Sequence, residues 1–157
     1  MVKTKSQRRK IGDIVKIPFE DGTHTYARVL PEASLAFYDS RGTEDMQVSR
    51  IVTLPILFFA AVMHSAIRSG RWPVVGHVLR DDGLRTPPKF IQDPLDARKF
   101  SIYEDGQIRT ASRQECLGLE RAAVWTPERI EGRLLDHYMG HKNEQLESFR
   151  IKSFRPN

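Results

Sequence analysis

His137 and His141 stand four residues apart, a spacing that on a helix would put two imidazoles on one face, as a metal site needs. Gly140 lies between them, where a helix would end, and no carboxylate motif accompanies them. They therefore read as surface histidines. His24, His64 and His77 are scattered and read as polar residues of strands or loops. Neighbouring carboxylates at Glu44-Asp45 and Asp81-Asp82 would serve general acid–base chemistry only if one of each pair were taken out of water. The second pair sits in a stretch broken by Gly83 and Pro87-Pro88, and both pairs read as solvated turn residues. Cys116 is the single cysteine, so no intramolecular disulfide is possible, and it reads as a small, half-buried hydrophobe. Gly70 and Gly76 form no dinucleotide fingerprint, and neither a phosphate-binding Gly-Lys-Ser/Thr nor a nucleophile elbow is present. No catalytic residue, metal site or cofactor is expected from these residues.

Chemistry by fit to a partner is left, and charge bears on which partner. The 157 residues carry a formal net charge of +5. Lys3, Lys5, Arg8, Arg9 and Lys10 supply five positive charges at one end, whereas residues 11–141 hold 16 basic and 18 acidic side chains. The basicity belongs to the ends, which weakens the case for a nucleic-acid-binding surface on the body. Residues 1–10 read as a disordered basic arm, 11–141 as one domain and 142–157 as a C-terminal extension. The arm is followed by no apolar stretch of a signal peptide, and the longest apolar run, Leu54 to Met63, is too short to span a bilayer. A cytoplasmic location is expected.

The elements that must present such a surface follow from periodicity. Asp13 to Leu30 predicts a hairpin, with Val15, Ile17 and Phe19 on one face and a two-residue Asp21-Gly22 turn. Pro18 places the first strand at a sheet edge or ends it. Leu35 to Tyr38 predicts a third strand, Glu44 to Val52 a loop with a helical turn, and Ile56 to Val62 a central strand buried on both faces. Ser65 to Gly70 reads as a brief helical turn and Trp72 to Leu79 as a strand. A short strand begins at Phe90, and a second hairpin of Phe100–Tyr103 and Gln107–Thr110 turns at Asp105-Gly106. A helix opens at Thr126-Pro127 and closes at Gly140, with Ile130, Leu134 and Tyr138 as its apolar stripe. Glu128, Arg129, Arg133 and Asp136 are expected on its outer face. Phe149-Arg150-Ile151 is either an edge strand or a loose end, and Trp72 and Trp125 are expected in the core. The predicted fold class is α+β, mostly β: a twisted, largely antiparallel sheet, open or barrel-like, with one main C-terminal helix packed on it.

The order and spacing of several segments resemble the immunity protein 26 family, which accompanies bacterial polymorphic toxins. The segments are Lys10-Ile11-Gly12-Asp13-Ile14-Val15-Lys16-Ile17-Pro18, Asp21-Gly22 leading to Tyr26-Ala27-Arg28-Val29-Leu30, and Phe37-Tyr38-Asp39. Ser69-Gly70-Arg71-Trp72-Pro73-Val74-Val75-Gly76 and Ala123-Val124-Trp125-Thr126-Pro127-Glu128-Arg129-Ile130-Glu131 complete the pattern, which covers roughly residues 10–140. The resemblance implies a mostly β fold, no enzymatic activity, and a role in sparing the producing cell from a toxin delivered by contact-dependent competition. It transfers no catalytic residues; Gly12, Gly70 and Gly76 look like backbone positions. The implied partner is a cognate toxin domain, blocked by occlusion. Against a nuclease-type toxin with a basic groove, acidic loops are natural contacts, which nominates Glu44, Asp45, Asp81 and Asp82, with Arg85 beside them. Against an acidic toxin, Arg41, Arg80 or Arg133 would serve instead. Two other classes stay open: a small β-rich nucleic-acid-binding module using the basic arm, and a small-barrel endoribonuclease with Arg28 as its cation.

Overall fold

The computed structural model describes residues 6–79 and 82–152. Strands β1 (Asp13–Pro18), β2 (His24–Val29), β3 (Ser34–Tyr38), β4 (Ile56–Val62), β5 (Val74–His77) and β9 (Val124–Trp125) form one sheet, in the order β5-β1-β2-β3-β4-β9. Neighbours pair antiparallel, except β4 with β9. Strands β6 (Lys89–Gln92), β7 (Phe100–Glu104) and β8 (Gln107–Ala111) form a second, antiparallel sheet. The class is α+β and mostly β, and the predicted single sheet is two open sheets with no closed barrel.

The first sheet buries both faces of its middle. One face carries Val15, Ile17, Ala27, Val29, Leu35, Phe37, Phe58 and Trp72 against helix α4 (Pro127–Met139). The other carries Ile14, Tyr26 and Tyr38 against Ile51 of the one-turn helix α1 (Val48–Ile51). Every residue of β2 and β3 is consequently buried, whereas β4 alternates between buried and half-buried. This corrects the expectation that Ile56 to Val62 is the doubly covered strand: its outer neighbour is only the two-residue β9. Pro18 ends β1, which lies inside the sheet, with β5 as the edge. Gly76 of β5 is needed because α1 packs on it: a Cβ there would lie 2.1 Å from Val48 Cγ2.

Thr126 caps α4 by accepting from the Arg129 N–H, Pro127 takes the first turn, and Gly140 at φ 72° ends the helix. Ile130 and Leu134 are fully buried, and Trp72 donates its indole N–H to Glu131 at 2.9 Å. Arg71 forks onto Glu131 at 2.7 and 2.8 Å, so the Gly70-Arg71-Trp72 segment fastens the helix to the sheet. Arg133, expected on the outer face, is instead buried. It borders the apolar stripe, and its guanidinium stacks 3.6 Å from the Phe58 ring centroid while donating to both oxygens of Glu120 at 2.9 Å.

The C-terminal segment forms a one-turn helix, α5 (Glu144–Ser148), rather than an edge strand. Asn143 caps it, and Phe149 then packs edge-to-face on Trp125 at 5.4 Å. Another helical turn, α3 (Arg113–Cys116), opens with a capping box in which Ser112 and Glu115 satisfy each other's backbone N–H groups. Cys116 is fully buried under the second sheet with Phe90, Phe100 and Ile102.

Two features bear on the ends of the sheets. The first hairpin turns through three residues, Glu20 to Gly22: Phe19 N–H donates to Thr23 O at 2.8 Å, and of the loop only Gly22 has positive φ, at 85°. The expected two-residue turn occurs only in the second hairpin, where Asp105 (φ 50°) and Gly106 (φ 76°) connect paired Glu104 and Gln107. Within the expected loose arm, Gln7 donates to Ile67 O and Trp72 O and accepts from Val74 N–H, and Arg9 donates to Leu30 O. Lys3 and Lys5 lie outside the described residues.

Candidate functional site

Two of the acids nominated from the sequence, Asp45 and Asp82, come to one face of the first sheet, over the strands whose cations pair with them. Lys16, Tyr26, Arg28 and Tyr38 project from this face, as the pairing of Lys16 with Tyr26 and of Arg28 with Ala36 requires. Asp45 accepts from Lys16 Nζ at 2.8 Å and lies 3.7 Å from the buried His24 ring. The Lys16 hydrogen bond and charge hold the Asp45 carboxyl below the usual range, while burial, reinforced by Lys16, pushes His24 down. Glu44 sits beside the same ring through its main chain.

Asp82 is held by Arg28, which donates from both terminal nitrogens at 2.8 and 3.0 Å. That pairing lowers Asp82 and raises Arg28, and burial raises the Tyr38 hydroxyl next to them. Arg28 is only 6% exposed and its partner 51%. A cation so enclosed by its own chain's carboxylate is placed to anchor the loop that carries Asp82. Asp81 and Arg80 lie outside the described residues. Of the remaining basic candidates, Arg41 is paired with Asp21 and Arg133 is buried with Glu120.

Beyond Asp82 the chain runs through Arg85 and Thr86, whose hydroxyl meets Ser34 Oγ at 2.8 Å, and enters a groove between the two sheets. The groove holds about 350 Å³. Small side chains, Ser34, Ala60, Ala61, Ala122 and Ala123, leave room for it, and Ile91, Val124 and Trp125 add apolar wall. Its rim is formed by two turns: Pro31-Glu32-Ala33, between β2 and β3, and Glu104-Asp105, between β7 and β8. Tyr103 O–H donates to Glu32 Oε2 at 2.9 Å and ties the turns together, which raises the Tyr103 hydroxyl.

Backbone geometry marks the same place. Three non-glycine residues have positive φ among the described residues, Glu32 (63°), Ala33 (60°) and Asp105 (50°), and all three line this groove. Such conformations cost about 1–3 kcal/mol each and persist where the surroundings enforce them. At the deep end Lys89 donates to Phe59 O at 2.6 Å and lies 3.7 Å from Glu120. Burial pushes Lys89 down; burial would raise Glu120, but Arg133 and Lys89 together hold it below its ordinary value. Phe90 and Arg121 bridge in parallel, and the chain then becomes β9 on β4, so one segment serves both sheets.

Of the nominated residues, the structure brings Arg85 to the groove, holds Asp82 on Arg28 of β2, and places Asp45 on Lys16 of β1 with Glu44 next to it. Sequence reasoning passed over Glu32, Glu104 and Asp105, although Glu104-Asp105-Gly106 had been identified as a turn. Among the described residues no group of three His, Cys, Asp or Glu side chains could hold a metal ion, and no helix is long and apolar enough to cross a membrane. Comparison with curated proteins and with solved structures found no match. The model of the family described as Immunity protein 26 matches residues 10–101, from the approach to β1 into β7. Over that span lie five strands of the first sheet, the Gly70-Arg71-Trp72 fastening and one wall of the groove, and the chain belongs to the immunity protein 26 family.

Proposed function

We propose that this chain binds a cognate toxin in the cytoplasm and neutralises it by covering its working surface, making and breaking no bonds itself. Membership of a family of immunity proteins carries this reading. A rigid sheet presenting charged loops suits occlusion, because an inhibitor of this kind typically buries about 1,200–2,000 Å² of total surface around a few anchors. A toxin of nuclease type, with a basic substrate groove, fits the acidic loops: Glu44, Asp45, Asp81 and Asp82, with Arg85 at the groove's mouth, are the proposed contacts. The internal pairs of Asp45 and Asp82 leave each carboxylate 78% and 51% exposed, so both still contribute to the outward field.

The test is co-expression with the toxin domain encoded beside this chain. Rescue of growth, a complex on size-exclusion chromatography and loss of the toxin's activity in the mixture are expected. A toxin that kills in the presence of this chain and does not bind it would overturn the reading. Reversing Glu44, Asp45 and Asp82 to lysine should slow association about tenfold or more at low salt; an unchanged rate would remove those loops from the interface.

A further inference from the structure

We infer that the groove between the two sheets is the seat for a basic segment of the toxin, one that inserts an apolar side chain and sets lysine or arginine against the rim. This rests on the reading that the chain neutralises a toxin, and it names where on this chain the toxin's anchor goes.

The argument begins with which acids are already engaged. Asp21, Asp45, Asp82, Asp96, Glu115, Glu120 and Glu131 each have a cation within ion-pair distance. Glu32, Glu104 and Asp105 have none among the described residues, and the one side-chain bond to any of their carboxylates is the neutral Tyr103 hydroxyl on Glu32. Two turns distant in sequence thus bring three exposed, uncompensated carboxylates to one rim. Like charges gathered this way repel one another, and the repulsion is relieved by an arriving cation.

Of the three cations that line the groove, Arg85, Lys89 and Arg121, the last two are engaged away from the rim. Lys89 is held at the deep end by Phe59 O and Glu120. Arg121 stacks on Phe90 and donates to Phe149 O, Arg150 O and Gln92. Below the rim the wall is apolar, with Val124 left 65% exposed. An apolar pocket under an acidic lip is complementary to an anchor whose neighbours are basic, since burial supplies affinity and charge supplies steering and register. The positive φ values of Glu32, Ala33 and Asp105 persist only where the surroundings enforce them, and the Tyr103 hydroxyl ties Glu32 to the other turn, so the lip is shaped before the partner arrives.

The experiment measures binding of the toxin domain encoded beside this chain to the full-length protein and two variants. The first, Glu32→Gln/Glu104→Gln/Asp105→Asn, removes three charges and keeps size; Asn tolerates positive φ and Gln keeps an acceptor for Tyr103. The second, Val124→Arg, puts a cation on an exposed wall position. Circular dichroism and melting temperature confirm folding. Each variant should weaken binding at least tenfold, and the triple variant should lower the association rate and flatten its salt dependence. Glu20→Gln, in the other hairpin turn, should change affinity less than twofold. Wild-type binding that both variants retain would overturn this inference alone, whereas a wild-type chain that does not bind the toxin would overturn the toxin reading as well. A shift in the oligomeric state of the isolated chain on either substitution would put a second copy in the groove and also overturn it.

Discussion

The tripeptide Glu-Asp-Gly occurs twice at a hairpin turn, and the two copies have opposite fates. At Glu20-Asp21-Gly22 the aspartate is turned inward on its own loop. It accepts from Thr23 N–H at 2.9 Å and Thr23 O–H at 2.6 Å, and it pairs with Arg41. At Glu104-Asp105-Gly106 the following residue is Gln107, the turn is one residue shorter, and Asp105 itself takes positive φ. Thr23 gives the first aspartate a local partner and lengthens the loop; the second has none, and its charge stays outward beside Glu32. The same three residues therefore build an internally paired joint in one sheet and an exposed acidic edge in the other, and the neighbour at the fourth position differs between them.

That contrast can be attacked at several strengths. The largest effect is expected from Gly106→Ala and Gly22→Ala, each forcing a Cβ into the left-handed region at about 1–2 kcal/mol, read from urea unfolding midpoints. Gly106→Ala should be the worse of the two. Its Cβ would meet Glu32 Oε1 at 3.3 Å and disturb the bond to Tyr103, while the space around Gly22 is open. Equal losses would show that the two turns are held together no differently. A smaller effect separates the aspartates: Asp21→Asn should lower the melting temperature at neutral pH, and Asp105→Asn should leave it unchanged or raise it slightly, because Asn suits that turn. The smallest is a titration. Thr23 and Arg41 hold the Asp21 carboxyl down at about 2, against an ordinary 3.8. A depressed carboxyl stabilises the fold fully above its ordinary value and loses that contribution as pH falls through the depressed one. Carboxyl-carbon NMR should find the Asp21 midpoint near 2, and Thr23→Val should move it upward; no movement would mean that the hydroxyl is idle.

What was legible in the sequence was whatever repeats along it. Alternation in Asp13–Pro18 and Phe100–Glu104, the Thr126-Pro127 opening and the Gly140 stop of α4 are local signals, and those elements stand where they were expected. The Ser112-x-x-Glu115 capping signature was equally local and went unread. The division into two sheets was not legible, since it depends on a segment that bridges Phe90 and then pairs with β4. Arg133 was misplaced because helix periodicity marks its position as marginal, and only the Phe58 and Trp125 rings on another element make it a buried one. Contacts of the nominated acids were equally hidden from a local reading. Glu44-Asp45 stands out as a pair in sequence, but Lys16, 29 residues away from Asp45, engages it. Glu32 and Asp105 look ordinary in isolation and share a groove only because two turns meet.

The knot of Arg133, Glu120 and Lys89 lies beside the segment that bridges the two sheets, and Lys89 of β6 also donates to Phe59 O of β4, so one wall of the groove is tethered to the other. A receptor held at a set width loses little freedom when it is filled, so the entropy of shaping it is settled once, at folding, and not again at each encounter. Such a molecule is limited by how quickly it meets its target in the right orientation. For the toxin binding proposed above, speed of capture is then the property to measure first.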